Sequence, residues 1–301
     1  MTLIYVLLGL AILVGLFDLW LRYVYRYPKR RHRTTPEELG IPFREVRFPT
    51  RRGRQLYGWW VPAQEKPSGP APTLILVHGW ARNVESVLPL IKGLHPLGYN
   101  LLAFDLRNHG SSDPDKYPNL LKFSEDIRAA VDFLIGNLLS EPSPIGIIGL
   151  SVGGGAAIHA AAFDIRISSV VTIGALASPV DVMRLEFQKR HIPFYPLGWL
   201  SIKYLQFKLG LNFEEIAPVN NIGKVRAKIL LIHGENDAVI PVEQGKRLQI
   251  AGNPDRTLLW IVPEKNHTDC VEHPEFRAKV EAFLQETIPV KIASAASSRS
   301  R

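Results

Sequence analysis

Cysteine is nearly absent from this chain of 301 residues, which contains only one, Cys270. A single cysteine excludes an internal disulfide framework and any zinc site built from several cysteines. Acidic residues are also outnumbered, because 28 Asp and Glu stand against 36 Lys and Arg and leave a formal charge of +8. Hydrophobic residues make up 46% of the chain and charged residues 21%, a composition that excludes a wholly disordered protein.

The positive charge is concentrated near the start of the chain. Residues 34–301 contain 30 basic and 27 acidic residues, so this body carries a net charge of only +3. The other basic residues lie in one short stretch: Arg22, Arg26, Lys29, Arg30, Arg31 and Arg33. A nearly neutral body lacks the basic face of a nucleic-acid-binding domain, so we expect no nucleic-acid partner.

An apolar run precedes the basic stretch. The 19 residues from Leu3 to Leu21 are strongly apolar apart from Gly9, Gly15 and Asp18. As an α-helix the run is about 28 Å long, close to the ~30 Å hydrocarbon core of a bilayer. Arg22 follows Asp18 by four residues, and aromatic residues suited to a membrane interface lie beside them: Trp20, Tyr23, Tyr25 and Tyr27. The run therefore predicts one transmembrane helix that anchors the protein to a membrane.

A cleaved signal peptide is the alternative interpretation of this run. It would require basic residues before the run and small residues at a cleavage site after it, and the sequence has neither. Because the basic stretch follows the run, the positive-inside rule predicts a single-pass protein with its body in the cytoplasm. We expect a membrane anchor over residues 1–33, a main domain over 34–290 and a disordered Ser/Ala-rich tail over 291–301.

The main domain alternates between short apolar runs and segments of helical period. Eight strands are predicted: Glu45–Phe48, Gln55–Val61, Thr73–His78, Asn100–Asp105, Ile145–Leu150, Ser169–Ile173, Lys228–His233 and Thr257–Val262. Five helices are predicted between or after them: Val84–His95, Leu120–Leu138, Val152–Ala162, Val242–Ile250 and Pro274–Glu286. This alternation predicts an α/β domain with a mostly parallel eight-stranded sheet and helices on both faces. Ligands then bind at the carboxyl ends of the strands.

One interval breaks the alternation. More than 50 residues separate Ile173 from Lys228, and residues 185–213 contain seven aromatic side chains: Phe187, Phe194, Tyr195, Trp199, Tyr204, Phe207 and Phe213. We interpret residues 179–226 as a helical lid inserted above the strand ends. An amphipathic helical pair that only packs on the core remains an equal alternative.

A candidate nucleophile follows the fifth predicted strand. The sequence Gly149-Leu150-Ser151-Val152-Gly153 stands between a strand and a helix rich in small residues. That context is typical of a nucleophile elbow, a sharp turn that presents a serine hydroxyl at the N-terminus of a helix. Backbone N–H groups must then stabilise the oxyanion. We expect those of Val152 and of Trp80, in the loop after the third strand.

Serine requires a base and a group that orients the base. Asp237 lies in the loop after the seventh predicted strand, and His267 lies in the loop after the eighth. The chain order Ser151, Asp237, His267 is the order that α/β-hydrolases use. Other polar residues have weaker claims: His273 is the rival base, Asp181 the rival acid, and we interpret Asp105, His78, His109, His159 and His233 as loop-bracing or packing residues. No motif marks Cys270 as a nucleophile.

These motifs together resemble those of the serine α/β-hydrolase family, in its esterase- and lipase-like form. The resemblance covers about residues 43–287. It includes His78-Gly79-Trp80, the run from Asp105 to Ser112, the elbow at Ser151, His233-Gly234 with Asp237, and His267. Where the family usually has glycine this sequence has Asn108, a residue that tolerates positive φ. The resemblance implies hydrolysis of esters, thioesters or amides through an acyl-enzyme, without any cofactor.

The sequence as a whole predicts a membrane-anchored serine hydrolase that acts on carboxylic esters, with an apolar acyl ester or a lipid as substrate. A thioesterase, an amidase or an acyltransferase would use the same triad. A non-catalytic binding protein on this fold is a further alternative, although such proteins usually have a damaged triad. No metal or nucleotide motif is present, since Gly153-Gly154-Gly155 lacks the lysine of a phosphate loop. The oligomeric state remains open.

Overall fold

The computed structural model describes residues 1–24, 30–64, 70–137 and 143–291. The predicted disordered tail lies outside the described residues except for Lys291. Two residues of the predicted basic stretch and two of the aromatic residues predicted for the membrane interface also lie outside the described residues: Arg26 and Lys29, and Tyr25 and Tyr27.

In the described residues eight strands form one sheet, as the sequence predicts. The strands are β1 (Arg44–Thr50), β2 (Arg54–Val61), β3 (Thr73–Val77), β4 (Asn100–Phe104), β5 (Ile145–Leu150), β6 (Ile167–Ile173), β7 (Lys228–Gly234) and β8 (Thr257–Val262). Their order is β1-β2-β4-β3-β5-β6-β7-β8, and only the β1–β2 and β2–β4 pairs are antiparallel. The remaining pairs are parallel, so their carboxyl ends meet at one edge of the sheet. The predicted mostly parallel α/β fold is confirmed.

Eight α-helices accompany the sheet in the described part of the chain. They are α1 (Thr2–Val24), α2 (Leu88–Leu94), α3 (Leu120–Asn137), α4 (Val152–Phe163), α5 (Pro179–Lys189), α6 (Trp199–Leu209), α7 (Val242–Ala251) and α8 (Phe276–Thr287). Helix α2 is shorter than predicted, because residues 84–87 form a separate 3₁₀ turn before it. Helix α8 begins two residues later than predicted, after the turn in which Phe276 N–H bonds to His273 C=O.

Alternating side chains of the central strands enter two separate cores. On β3, Ile75 and Val77 pack in the core that contains side chains of α3, α4 and α7, whereas Leu74 and Leu76 pack in the core of α2 and α8. All four are fully buried. A strand covered on both faces must be apolar at every position, which explains why these strands read as continuous apolar runs.

The long interval between β6 and β7 contains α5 and α6. Ile202 and Leu205 of α6 are buried in the core on the α4 side of the sheet, whereas no residue of α5 is fully buried. We call residues 179–226 the helical insertion. Its role as a lid stays a prediction.

Helix α1 covers the apolar run from which a transmembrane anchor was predicted. Among the described residues, no helix combines the length and the apolar character that crossing a membrane requires. The structure therefore does not support the predicted transmembrane helix. Arg22 and Asp18, which are four residues apart in α1, pair on the helix surface, with Arg22 Nε donating to Asp18 Oδ2 at 2.9 Å.

Candidate active site

Ser151 occupies a sharp turn between β5 and α4. Its backbone has φ 54° and ψ −119°, a conformation that is costly for a residue with a side chain and is characteristic of functional turns. The turn is held by the Ser151 N–H bond to Ile173 C=O, at 2.8 Å, on the neighbouring strand β6. Val152 is the first residue of α4, so the hydroxyl of Ser151 stands at a helix N-terminus, where developing negative charge is stabilised.

Glycine is required on both sides of this serine by close backbone approach. A Cβ at Gly149 would lie 2.5 Å from the carbonyl oxygen of Gly153, and a Cβ at Gly153 would lie 2.5 Å from that of His78. Both contacts are with backbone and cannot be relieved by rotating a side chain. The spacing Gly-x-Ser-x-Gly therefore lets α4 pack directly against the ends of β5 and β3.

His267 and Asp237 meet at the carboxyl edge of the sheet, as their loops predict. Nδ1 of His267 lies 2.7 Å from Oδ2 of Asp237. The other carboxylate oxygen accepts the backbone N–H groups of Val239 at 2.9 Å and Ile240 at 2.8 Å. The Asp237 side chain is fully buried, whereas that of His267 remains 13% exposed. The carboxylate is thus held rigidly, while the imidazole reaches the surface of the site.

The surroundings of Asp237 keep its carboxylate ionised. Burial acts to raise its pKa, but the hydrogen bonds from His233, His267 and backbone N–H groups outweigh burial and hold the pKa well below its usual range. An ionised Asp237 accepts a hydrogen bond from Nδ1–H of His267, which leaves Nε2 as the basic nitrogen.

Gly174 joins this pair to the candidate nucleophile. It follows Ile173, to which the backbone of Ser151 is bonded, and a Cβ at Gly174 would lie 3.0 Å from Nδ1 of His267 and 3.3 Å from Oδ2 of Asp237. The three predicted residues therefore surround one small backbone segment. Within the described residues no hydrogen bond joins the Ser151 hydroxyl to His267, a bond that commonly tightens only when a substrate is bound.

The loop after β3 also reaches Ser151. A Cβ at Gly79 would lie 3.3 Å from Cβ of Ser151, so the backbone just before Trp80 borders the serine. His78 braces this loop as a neutral imidazole, because its Nδ1 donates to Gly79 C=O and its Nε2 accepts the N–H of Leu106. Burial lowers the pKa of His78 to about 4, consistent with that neutral form.

The residues with weaker claims to a catalytic role have other hydrogen-bond or ion-pair partners. Asp181 forms an ion pair with Arg247, and Asp105 accepts the N–H groups of Val84 and Ser111. Among the histidines, His159 contacts Ser124 and His273 accepts the N–H of Glu275.

The loop between Asp105 and Ser112 braces the site from one side. His109 accepts the N–H of Ala81 at 3.2 Å and thereby ties this loop to the loop that follows β3. Asn108 adopts φ 69°, a positive value that asparagine tolerates better than most residues.

The thiol of Cys270 is buried and held in its protonated form. Cys270 is fully buried, and burial raises the pKa of its thiol to about 12. Within residues 1–24, 30–64, 70–137 and 143–291, no three His, Cys, Asp or Glu side chains are grouped so that they could hold a metal ion.

The contact between His233 and Asp237 was not predicted from the sequence. Nε2 of His233 lies 2.8 Å from Ile240 C=O and 3.4 Å from Oδ2 of Asp237. His233 therefore braces the Asp237 loop and also contacts the carboxylate. The only sequence signal for this contact is the His233-Gly234 pair at the end of β7, which does not specify where the ring points.

Comparisons with known proteins agree with this architecture. Residues 72–207 match the family model described as the alpha/beta hydrolase fold. The chain is 29% identical over 248 residues to the protein Rv2307c of Mycobacterium tuberculosis strain H37Rv. The aligned region covers 81% of this chain and 80% of that protein. It is 30% identical over 139 residues to the polyketide transferase grgF of Penicillium sp, covering 45% of this chain and 46% of the transferase.

A solved structure is also similar to this chain over most of its length. The esterase Pf2001 of Pyrococcus furiosus superposes with a TM-score of 0.69 at 26% identity, and the match covers 87% of this chain and 98% of the esterase. The chain has the alpha/beta hydrolase fold, which the family match over residues 72–207 and the likeness to the esterase structure both support.

Proposed function

We propose that this chain is a serine hydrolase that cleaves carboxylic esters with apolar acyl groups through an acyl-enzyme. The observation that carries the proposal is the arrangement of Ser151, His267 and Asp237 around the segment Ile173-Gly174 at the carboxyl edge of the sheet. A nucleophile on a tight strand–helix turn, a base and a buried carboxylate are the parts that acyl transfer requires. The likeness to an esterase agrees with this chemistry.

The proposed reaction begins when Oγ of Ser151 attacks the carbonyl carbon of the ester. Nε2 of His267 takes the hydroxyl proton, and Asp237 stabilises the imidazolium through Nδ1. When the bond to the leaving oxygen breaks, His267 gives the proton to that oxygen, so an alcohol leaves and the acyl group stays on Ser151. Water then repeats the sequence, with His267 taking its proton, and releases the carboxylic acid and the free serine.

The oxyanion of each tetrahedral intermediate would be stabilised by two backbone N–H groups. Val152 N–H is at the first position of α4, where helix N–H groups are not used within the helix. Trp80 N–H follows Gly79, whose backbone borders Ser151. Two such donors, fixed before the reaction starts, are the usual source of the largest stabilisation in acyl transfer.

Apolar surface beside the serine favours apolar acyl groups. The half-buried side chains of Trp80 and Val152 pack on the core; Val152 directly follows Ser151, and Trp80 follows Gly79, whose backbone borders Ser151. A series of p-nitrophenyl esters tests this preference: hydrolysis is expected to be faster for butyryl to octanoyl than for acetyl esters. A preference for acetyl would contradict it.

Labelling with a fluorophosphonate tests the proposed nucleophile. The wild-type chain is expected to form a covalent adduct that mass spectrometry locates on Ser151. Ser151→Ala should not react, whereas the control Ser86→Ala, which removes a hydroxyl that donates to the backbone C=O of Asn83, should react like the wild type. Equal labelling of the wild type and Ser151→Ala would refute the proposal.

Gly174→Ala is expected to lower kcat/KM by roughly 100-fold, because the new methyl group would displace the imidazole of His267. Gly40→Ala is the matched control: Gly40 has φ 69°, against 61° at Gly174, and a Cβ there would contact nothing within 4 Å. Both variants carry the same backbone strain, so steady-state kinetics on one ester separates strain from displacement. Similar activity of the two variants would show that Gly174 does not position His267.

Acyl transfer to an alcohol or amine is the second candidate function, and the likeness to a polyketide transferase over 139 residues favours it. The same triad performs both reactions, and they differ only in the acceptor. Adding an alcohol during ester cleavage separates them: a hydrolase releases mainly the acid, whereas a transferase forms the new ester in preference.

Membrane anchoring with the body in the cytoplasm is a proposal that only the sequence supports, through the apolar run at residues 3–21 and the basic residues after it. Alkaline carbonate extraction of cell membranes tests it. An anchored chain stays in the membrane fraction after extraction, and its release would contradict the proposal.

A further inference from the structure

The helical insertion carries a strongly apolar outer surface. Six of its large apolar side chains are exposed: Ile192, Tyr195, Leu197, Trp199, Leu200 and Phe207. We call these six residues the insertion face. On α6, Leu200, Lys203 and Phe207 follow one another at spacings of three and four residues, so they lie on one side of the helix, while Ile202 and Leu205 on the other side are buried. Phe207 is 88% exposed.

This concentration of exposed apolar side chains is local. In the described residues after α1, the other large apolar side chains with comparable exposure are scattered over the remaining surface: Leu39, Ile135, Phe163, Ile165, Val239, Ile250 and Leu258. Single exposed apolar residues are normal, whereas a clustered group marks a surface that binds an apolar partner.

Positive charge accompanies the insertion face. Residues 184–208 contain five basic residues and one acidic residue, a net charge of +4 within a chain whose total is +8. The exposed basic residues include Arg184, Lys189, Arg190 and Lys203, whereas the side chain of Lys208 is partly exposed and pairs with Asp18 of α1. The ammonium group of Lys203 lies 6.0 Å from the ring centre of Trp199. Lysine and tryptophan beside exposed leucine and phenylalanine are typical of helices at the interface of an anionic bilayer.

The insertion face adjoins the exposed apolar residues of α1. Oδ1 of Asp18 accepts the hydroxyl groups of Tyr117 at 2.9 Å and Tyr204 at 3.0 Å, and Lys208 also binds this carboxylate. The rings of Phe17 and Tyr204 make an edge-to-face contact with centres 5.3 Å apart. Helices α1 and α6 therefore meet at Asp18, and their apolar surfaces are neighbours.

We propose that the insertion face docks onto the surface of an anionic lipid bilayer, with the apolar side chains inserted among the acyl chains and the basic residues at the lipid headgroups. An apolar protein partner would explain the exposed rings but not the net charge of +4, which matches anionic phospholipid. The proposal goes beyond the proposed function, because docking holds whether or not Ser151 reacts. It requires no helix to cross the membrane.

A dye attached at Phe207 tests the docking. The only natural cysteine, Cys270, is fully buried, so a polarity-sensitive maleimide reacts at an introduced cysteine. Phe207→Cys samples the insertion face. Ile250→Cys is the matched control, because Ile250 is similarly exposed, at 83%, but lies near the end of α7, outside the helical insertion. With the full chain and vesicles of phosphatidylcholine and phosphatidylglycerol, we expect a blue shift at position 207 and none at 250.

Two results would overturn the proposal. One is a vesicle-bound chain whose dye at position 207 does not shift, because α1 alone would then hold the protein. The other is a chain that binds no vesicles. Fluorophosphonate labelling of the same samples reports on Ser151 independently, so loss of docking and loss of the proposed chemistry are distinguishable.

Charge removal tests the headgroup contacts. The triple variant Lys189→Gln, Arg190→Gln, Lys203→Gln is expected to need roughly tenfold or more anionic lipid for the same spectral shift, because each basic residue near the surface strengthens binding. The control Lys228→Gln, Lys246→Gln, Lys279→Gln removes equal charge from surface ion pairs outside the insertion and should leave the shift unchanged. Equal effects of the two triple variants would contradict docking through this face.

Discussion

Asp237→Asn is expected to lower kcat for ester hydrolysis by about 10⁴-fold while leaving KM nearly unchanged. The Asp237 carboxylate accepts Nδ1–H of His267 at 2.7 Å and thereby leaves Nε2 free to accept the serine proton. An amide at this position can donate its own N–H to Nδ1, which moves the proton of the imidazole to Nε2 and removes the base. Ester binding does not involve Asp237, so the loss falls on the chemical step.

The fold should tolerate this substitution. One oxygen of Asp237 accepts the N–H groups of Val239 and Ile240, and the amide oxygen of Asn can keep both bonds. We therefore expect the thermal unfolding midpoint to change far less than the activity does. Asp181→Asn is the matched control, because Asp181 is the rival acid and pairs instead with Arg247. If Asp181→Asn were inactive and Asp237→Asn active, the assignment of the acid would be reversed.

The residues around Ser151 show what a sequence can predict about a site. The elbow, the Asp237 loop and the His267 loop each follow a strand directly, and parallel strands bring their carboxyl ends to one edge. Strand order then determines which loops meet, so the proximity of Asp237 and His267 follows from β7 and β8 being neighbours. Local patterns therefore predict that each loop lies at this edge, whereas which loops meet depends on the strand order.

Contacts made by side chains from distant segments were not predictable in this way. Tyr204 bonds to Asp18 across 186 residues, and neither residue carries a motif that names the other. The second contact of Asp237, with His233, depends on how the ring is turned. Helix α2 was predicted too long because the apolar period continues through the 3₁₀ turn at residues 84–87. Such details depend on packing geometry, which the hydrophobic period does not contain.

The second large effect is expected in folding stability, at the buried ion pair of Arg107 and Asp126. Arg107 belongs to the loop between Asp105 and Ser112, and its guanidinium bonds to Asp126 through Nε at 2.8 Å and through a terminal nitrogen at 2.6 Å. The backbone N–H of Arg107 donates to the other carboxylate oxygen at 2.9 Å. The side chains of Arg107 and Asp126 are 1% and 0% exposed. Neither charge can therefore return to water if its partner is lost.

Asp126→Ala is expected to lower the free energy of unfolding by about 3–5 kcal/mol, because it leaves the guanidinium buried without its main partner. Asp115 and Glu125 also contact Arg107, at 3.3 and 3.1 Å, and keep the cost within this range. Urea unfolding measures the change. Asp132→Ala is the matched control on the same helix, because Asp132 pairs with Arg166 in an exposed contact that contributes at most about 1 kcal/mol.

A double variant separates the buried charge from the packing. Replacing both partners, with Arg107→Met and Asp126→Leu, removes the uncompensated charge and is expected to recover much of the stability that Asp126→Ala loses. If the double variant is no more stable than Asp126→Ala, the stability comes from the shape and backbone bonds of this loop. Because His109 ties the same loop to the backbone beside Trp80, that outcome would also predict weaker oxyanion stabilisation in both variants.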